Sequence, residues 1–113
     1  MSQNIKNDAH FIKHATSEGV FVKHFYSKDD TDGCFNNMEA DIIPGYQIMP
    51  HVHENATEFF YVVSGDGEFL DGTAWEKISK GSVFKAPKGT THAIKNTGNE
   101  VLVLICTFSP ATR

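Results

Sequence analysis

Turn-forming residues interrupt this chain at short intervals from Val20 onward, and this pattern constrains its fold more than any other feature. Glycine, often beside Pro, Asp or Asn, occurs at 32–33, 44–45, 65–67, 71–72, 80–81, 87–89 and 97–99. The segments between these turns are rich in β-branched and aromatic residues, a pattern typical of antiparallel sandwiches and barrels. At 113 residues the chain can bury one core but not two. The sequence therefore predicts an all-β protein with a single domain.

The predicted strands lie near residues 20–26, 38–43, 45–49, 51–54, 57–64, 67–70, 73–78, 82–86, 91–95 and 101–108. Residues 1–18 are expected to form an N-terminal arm, and residues 19–113 the barrel domain. Within the arm, residues 7–15 are predicted to form one helical turn with Asp8 as its cap. The polar stretch 27–37 is predicted to be a mobile loop near the entrance of the space that the strands enclose.

Charge and hydropathy exclude several classes of partner. Ten basic and 14 acidic residues give a net charge of −4, which does not provide the basic face that nucleic acids require. The longest apolar run, residues 101–106, is far shorter than the ~20 residues of a membrane-spanning helix. The N-terminal residues do not have a charged-then-apolar signal pattern, which predicts a cytoplasmic location. Two cysteines, Cys34 and Cys106, are too few for a disulfide framework and are interpreted as free thiols.

Histidine and glutamate carry the chemistry. His51 and His53 are two residues apart, so on a strand they share one face, and Glu58 returns on the neighbouring strand. A His-x-His pair alone is common on exposed strands and is weak evidence. A further ligand such as His92 would complete three nitrogens and one carboxylate oxygen, a set that suits Fe, Mn, Ni, Cu or Zn. In six-coordination such a metal keeps two positions for water or substrate.

Two sequence motifs together resemble the signatures of the cupin family. The first motif matches the family pattern through Gly45, His51, His53, Glu58 and Gly65. The second motif matches through Gly81, Pro87, Gly89, His92 and Asn96. The segment between them, residues 66–80, resembles the short insert of small single-domain bacterial cupins. Ten specified positions at fixed spacing make this resemblance specific.

The resemblance implies a cupin-type jelly-roll β-barrel, also described as a double-stranded β-helix, in a single domain. It implies one divalent transition metal per chain (Fe, Mn, Ni, Zn or Cu), and frequent pairing of barrels into homodimers. Asn96 matches a structural position that closes the second motif. The metal ligands that the resemblance implies are His51, His53, Glu58 and His92.

Alternation along the strands predicts the wall of the pocket. If Glu58 faces inward, residues two and four positions further on the same strand face inward too, and a charged Lys85 inside a barrel would be costly. The substrate pocket is therefore predicted to contain Phe60, Val62, Phe84, Ala86 and Ile94, with Gln47 and Met49 at its rim.

Other polar residues have weaker claims to a role. Tyr26 and Tyr46 are conceivable acid–base residues, but ordinary packing or surface positions are the favoured interpretation. The histidines outside the motifs match neither pattern and are interpreted as solvated or arm residues; they are His10, His14 and His24.

The residues leave two functions open. The first is a metalloenzyme acting on a small oxygenated molecule by dioxygenase-type or sugar or uronate isomerase-type chemistry. The alternative is a non-catalytic cupin that binds or senses a small molecule. A homodimer is also expected, because residues 101–106 are apolar on both strand faces and one face needs a cover. A partner subunit or the N-terminal arm could supply that cover.

Overall fold

The computed structural model describes residues 4–113, and its secondary structure is almost entirely β. The strands are β1 (Ile12–Lys13), β2 (Val20–His24), β3 (Asn36–Ile42), β4 (Gln47–His51), β5 (Thr57–Ser64), β6 (Asp66–Asp71), β7 (Ala74–Ser79), β8 (Val83–Ala86), β9 (His92–Asn96) and β10 (Leu102–Ser109). A single 3-10 turn over Lys28–Asp30 is the helical segment of the described chain. The prediction of an all-β fold is confirmed. Within residues 4–113, no helix is long and apolar enough to cross a membrane.

The strands form two antiparallel sheets that face each other. The larger sheet has the order β1-β2-β3-β10-β5-β8, and the smaller sheet has the order β4-β9-β6-β7. Every pair of neighbouring strands is antiparallel. From β3 onward the chain crosses from one sheet to the other at every connection except the β6–β7 hairpin, which is the topology of a jelly-roll barrel.

The core lies between the two sheets. On β3, β5 and β10 buried residues alternate with more exposed ones, so one face of each strand lines the interior. Ile42, Leu102 and Leu104 of the larger sheet are fully buried and pack toward Ile94 of the smaller sheet. Truncating one such leucine to alanine removes about 2–5 kcal/mol of stability, so these residues hold the barrel closed.

Two of the predicted elements are wrong. Residues 7–15 form no helical turn: Ile12 pairs with Val22 as part of β1, because a strand partner distant in sequence outweighs a weak local helix signal. The strands predicted at 45–49 and 51–54 are one strand, β4, with a shift of register between Ile48 and His51. Pro50 lies at that shift, since it cannot donate a ladder hydrogen bond.

The polar stretch 27–37 is held by hydrogen bonds to the C-terminal segment. The Lys28 N–H donates to the Arg113 carbonyl at 2.6 Å, and the Ala111 N–H donates to the Gly33 carbonyl at 3.1 Å. The Ser109 hydroxyl donates to the Cys34 carbonyl at 2.9 Å. None of residues 27–37 lines the cavity described below.

Candidate metal centre

Both sheets contribute to one cluster of histidine and glutamate side chains at one end of the barrel. His51 ends β4 and pairs with His92, the first residue of β9, in the smaller sheet. Glu58 is the second residue of β5 in the larger sheet. His53 lies in the irregular connection after β4, and not on a strand as its spacing predicted. One ligand atom from each of these four residues lies within 4.8 Å of the others.

The cluster is compact and its centre is shielded from water. The His92 Nε2 atom lies 3.1 Å from Glu58 Oε1, and His53 Nε2 lies 3.5 Å from the same oxygen. The ring centroids of His51 and His92 are 4.2 Å apart. Glu58 is 3% exposed and His92 is 1% exposed. The four side chains predicted from the two motifs are therefore together at a single point.

Backbone carbonyls fix the tautomers of two of the rings. His51 Nδ1 lies 2.7 Å from the Met49 carbonyl oxygen, and His92 Nδ1 lies 3.1 Å from the Thr90 carbonyl oxygen. A carbonyl oxygen can only accept, so each Nδ1 carries the hydrogen. In the neutral ring the lone pair is then on Nε2, which is the nitrogen that faces the cluster.

The turn of the second motif also supports the cluster. Thr90 donates its N–H to the Pro87 carbonyl at 3.1 Å, which closes the turn before His92. Gly89 has a positive φ of 81°, a conformation that favours glycine, and its N–H donates to the His53 carbonyl at 2.9 Å. One turn therefore positions the backbone of one candidate ligand and the carbonyl that orients another.

The protonation states match those that a metal needs. Burial acts to raise the pKa of Glu58, but the neighbouring imidazoles of His53 and His92 outweigh it and lower that pKa. Burial lowers the pKa of His51. An ionised carboxylate beside a neutral imidazole is the form in which both residues coordinate a cation.

A divalent transition metal fits these residues. The buried His53 Nε2 makes no hydrogen bond to any residue of the described chain. In its neutral tautomer, His92 directs a lone pair at a carboxylate oxygen of Glu58, which also has only lone pairs to offer. A cation shared by these atoms satisfies all of them. Three imidazole nitrogens and one carboxylate oxygen are a set that Mn, Fe, Ni, Cu or Zn accepts.

Cys106 is a buried neighbour of the cluster. Burial raises the pKa of its thiol well above the ordinary value, and the adjacent Glu58 carboxylate raises it further. The thiol therefore stays protonated and behaves as a small apolar side chain rather than as a nucleophile.

A cavity of about 360 Å³ opens beside the cluster. Three of the residues predicted for the pocket line it: Met49, Phe60 and Ile94. Its wall also includes residues that the strand pattern did not single out, namely His14, Thr16, Ser17, Met38, Ile48, Pro50 and Phe108. The wall is mostly apolar apart from the cluster and the 14–17 segment.

The other predicted pocket residues lie outside this lining. Val62 and Ala86 are buried in the hydrophobic core. Phe84 packs against that core and stacks on Phe60, with ring centroids 4.7 Å apart. Gln47 is half-buried on β4 and pairs with Lys95.

The two tyrosines that were weak catalytic candidates lie away from the cavity lining. The Tyr26 hydroxyl donates to the Asn4 carbonyl at 2.7 Å. The Tyr46 ring covers Gly19, where an added Cβ would overlap the ring atoms. Both positions agree with packing roles for these side chains.

His14 belongs to the N-terminal arm, which was one of its two interpretations, but it is not a solvated residue. His14 is half-buried and lines the cavity, because the turn that follows β1 places residues 14–17 against β4. No sequence motif includes His14, so only the tertiary structure could bring it to the site. His10 is exposed, and His24 lines a separate cleft with Arg113.

The jelly-roll topology and the convergent His, His, Glu, His cluster define a β-barrel protein with a candidate metal site in the barrel. Residues 38–108 match the family described as "Cupin domain". The chain belongs to the cupin family.

Relatives of known sequence include proteins of several kinds. An uncharacterized protein of Methanocaldococcus jannaschii is 28% identical over 109 residues, which cover 94% of this chain and 86% of that protein. An oxalate-binding protein of Thermotoga maritima is 38% identical over 56 residues, covering 50% of this chain and 46% of that protein. A germin-like protein of Arabidopsis thaliana is 41% identical over 75 residues, which cover 61% of this chain and 34% of that protein. The matches to the last two proteins span less than half of their lengths.

Solved structures share the fold over nearly the whole chain. The crystal structure of a protein described as a predicted oxalate decarboxylase from Thermotoga maritima superposes with a TM-score of 0.83 and 27% identity, covering 90% of this chain and 91% of that one. KdgF from a Halomonas species superposes with a TM-score of 0.79, covering 97% of this chain and 94% of that one. At 24% identity, the second comparison shows the fold alone.

Proposed function

We propose that this cupin is a metalloenzyme that binds one divalent transition metal per chain through His51, His53, Glu58 and His92. The observation that carries the proposal is the convergence of four ligand atoms within 4.8 Å at the wall of a cavity. When bound, such a metal supplies a Lewis acid, or a redox centre if it is Fe, Mn or Cu.

We propose a small oxygenated anion, with oxalate as the first candidate, as the molecule that the cavity accepts. A volume of about 360 Å³ admits a small molecule only. Carboxylate, enediol and hydroxy-keto groups offer the oxygen atoms that hard and borderline divalent metals bind. A protein sequence and a solved structure that are similar to this chain, both from Thermotoga maritima, carry oxalate in their printed names. Oxygenase-type and sugar or uronate isomerase-type reactions use the same oxygen-rich class of substrate.

The chain's own residues would perform three tasks in this proposal. The buried Glu58 and His92 hold the charge of the site away from bulk water. The Met49 and Thr90 carbonyls hold the rings of His51 and His92 in one orientation. The apolar wall around Phe60 excludes water from the bound molecule.

A non-catalytic binding role is the second candidate, and one observation favours it. Among residues 4–113, the cavity lining contains Glu58 as its single carboxylate and contains no lysine or arginine. An acid–base reaction would therefore need the histidines or the metal itself to move protons.

Metal analysis of the purified protein tests the site. We expect close to one transition metal per chain by mass spectrometry, and loss of that metal in His53→Ala with the barrel still folded by circular dichroism. His10→Ala is the matched control, because His10 is exposed and outside the cavity lining. Equal metal content in both variants would contradict the proposed ligands.

Turnover assays separate the two candidate functions. Oxalate, diketones, flavonols and uronates should be incubated with the metal-loaded protein, with and without chelator. Product formation that stops on metal removal supports the metalloenzyme. Binding of oxalate with no product from any compound supports the binding role, and turnover that survives complete metal removal contradicts the proposal.

We also propose that two copies of the chain form a homodimer through the outer face of the larger sheet. Ile105, Tyr61 and Val83 lie side by side on β10, β5 and β8 and form an apolar row on that face. Tyr61 is 47% exposed and Val83 is 78% exposed, and β8 is the edge strand of its sheet. An apolar edge of this kind is costly to leave in water.

A further inference from the structure

His14 is held by hydrogen bonds in one tautomer. The backbone N–H groups of Thr16 and Ser17 both donate to His14 Nδ1, at 3.1 and 3.0 Å. A ring nitrogen that accepts hydrogen bonds carries a lone pair and no hydrogen. The single ring hydrogen of the neutral imidazole is therefore on Nε2, so this edge of the ring is a donor.

This tautomer is the reverse of the one that the cluster uses. His51 and His92 place the hydrogen on Nδ1 and leave Nε2 free to accept a cation. His14 has its acceptor nitrogen already occupied and offers only an N–H. It is thus unsuited to coordinate a metal and suited to donate a hydrogen bond to an oxygen.

The position of His14 relative to the cluster is fixed by the fold. Ser17 is buried, and its hydroxyl oxygen accepts the N–H of Met49 at 3.1 Å. Met49 lies two residues before His51 and accepts the Nδ1–H of that ring. The backbone N–H of His14 donates to the Val20 carbonyl at 2.9 Å, which joins the turn to β2. Hydrogen bonds therefore connect the turn that carries His14 to the strand that carries the candidate ligand His51.

The surroundings give this donor a purpose. His14 lines the same cavity as three of the four cluster residues, and the remaining wall includes Met38, Ile48 and Phe108. Since the backbone N–H groups of Thr16 and Ser17 occupy Nδ1, the Nε2–H is the polar group of the ring that remains for a molecule bound in this mostly apolar cavity.

We propose that the Nε2–H of His14 is a positioning donor that binds a second oxygen atom of the small anion held at the cluster. This inference rests on the proposed function and adds a determinant of substrate class to it. A molecule with oxygens at two ends, such as a dicarboxylate or an α-oxo carboxylate, can use the cluster and His14 together. A simple monocarboxylate has both of its oxygens at one end and cannot reach both.

Two substitutions separate the donor from the structural role of the ring. In His14→Asn the amide oxygen can replace Nδ1 as acceptor for the two backbone N–H groups, but nothing replaces Nε2–H. In His14→Gln the amide N–H reaches the region that Nε2–H occupied. His14 is not among the four candidate metal ligands, so metal affinity should be the same in both variants and in the parent protein.

Calorimetric titration of oxalate and acetate into the Mn²⁺-loaded protein tests the inference. We expect His14→Asn to weaken oxalate binding about tenfold or more, which is the effect of losing a hydrogen bond to a charged group. The affinity of the same variant for acetate should stay within about twofold of the parent value. His14→Gln should recover oxalate affinity to within about threefold of the parent. In the Zn²⁺-loaded protein, ¹⁵N NMR of histidine should show His14 with its hydrogen on Nε2.

The outcomes distinguish this inference from the function on which it rests. Equal oxalate affinity in His14→Asn and the parent, or a hydrogen on Nδ1 of His14, overturns the role of His14 and leaves the metal site intact. A parallel loss of acetate and oxalate affinity also overturns it, since that pattern indicates a structural role. Failure of the metal-loaded parent to bind oxalate overturns this inference and the choice of oxalate as first candidate, whereas the metal analysis alone decides the metal site.

Discussion

Glu58 is the residue on which the candidate site depends most. Its carboxylate is 3% exposed, and it supplies the one negative charge among the four candidate ligands. Because the three histidines bind a cation as neutral rings, the carboxylate alone offsets part of the metal's charge in a dry environment. Removing that charge should weaken metal binding more than it destabilises the fold.

We therefore expect Glu58→Gln to lower the affinity for Mn²⁺ by about 100-fold or more, since a neutral amide oxygen is a poor substitute for a carboxylate. Glu68→Gln is the matched control, because Glu68 forms an ion pair with Lys95 on the smaller sheet and is outside the cluster. Calorimetric titration of Mn²⁺ into both variants provides the measurement. Equal affinities would remove Glu58 from the ligand set.

Asp41 shows a second effect at the residue scale. Its neighbours across the strands are Val103 and Phe21, and one of its carboxylate oxygens is buried without a hydrogen bond within the described chain. Burial, together with the nearby Glu39, raises the pKa of Asp41 from 3.8 to about 7. The folded protein therefore keeps a proton on Asp41 at pH values where the unfolded chain has released it.

The sign of the resulting pH dependence follows from linkage. The contribution of Asp41 to the free energy of unfolding is fully present below pH 3.8 and is lost as the pH rises to about 7. We expect Asp41→Asn to gain stability relative to the parent between pH 5 and pH 8, measured by urea unfolding at both values. Glu39→Gln, which removes the neighbouring charge, should reduce the same pH dependence. A stability difference that does not change with pH would contradict this assignment.

At the scale of elements, local sequence signals predicted the strands well and failed where contacts between distant segments decide. The alternation on β5 and β10 identifies their buried faces, and the two motifs identify all four residues of the cluster. The two strands predicted around Pro50 form one strand, β4, which ends at His51, so His53 reaches the cluster from a connection instead of a strand. Ile12 and Lys13 pair with β2, and the hydrogen bond from Met49 to Ser17 holds the turn that brings His14 to the cavity. No local pattern encodes those tertiary contacts.

The turn before β9 offers a test of how one element supports the site. Gly89 and Gly81 both have positive φ, and an added Cβ would meet no atom within 4 Å at either position. Alanine should therefore destabilise the protein through backbone conformation alone, by about 1–2 kcal/mol in each case. Gly89→Ala should also weaken Mn²⁺ binding, because the Gly89 N–H donates to the His53 carbonyl.

Gly81→Ala serves as the control for the metal effect, since Gly81 lies in the turn between β7 and β8 and its N–H donates to the Val62 carbonyl in the core. Chemical unfolding and Mn²⁺ titration of both variants provide the two measurements. A fall in stability without any change in metal affinity in Gly89→Ala would show that this turn does not position the cluster.

At the scale of the whole molecule, the two faces of the larger sheet differ in how completely a single chain buries them. The inner row of β10, formed by Leu102, Leu104 and Cys106, is completely buried in one chain. The outer row, which includes Val103 and Ile105, is only half-buried. The apolar outer row thus extends a hydrophobic surface that the single chain does not cover.

A second copy of the chain is the partner that this surface fits. The row of Ile105, Tyr61 and Val83 continues to the edge strand β8, so two copies related by a twofold axis could cover both rows at once. Light scattering should therefore give twice the 12.5 kDa mass of the chain. Val83→Glu should shift that mass to the monomer, because it would place a charge at the centre of the buried contact. Val101→Glu, an exposed valine outside the strands, should remain dimeric. A parent protein at the monomer mass, or a Val83→Glu variant that stays dimeric, would exclude this face as the interface.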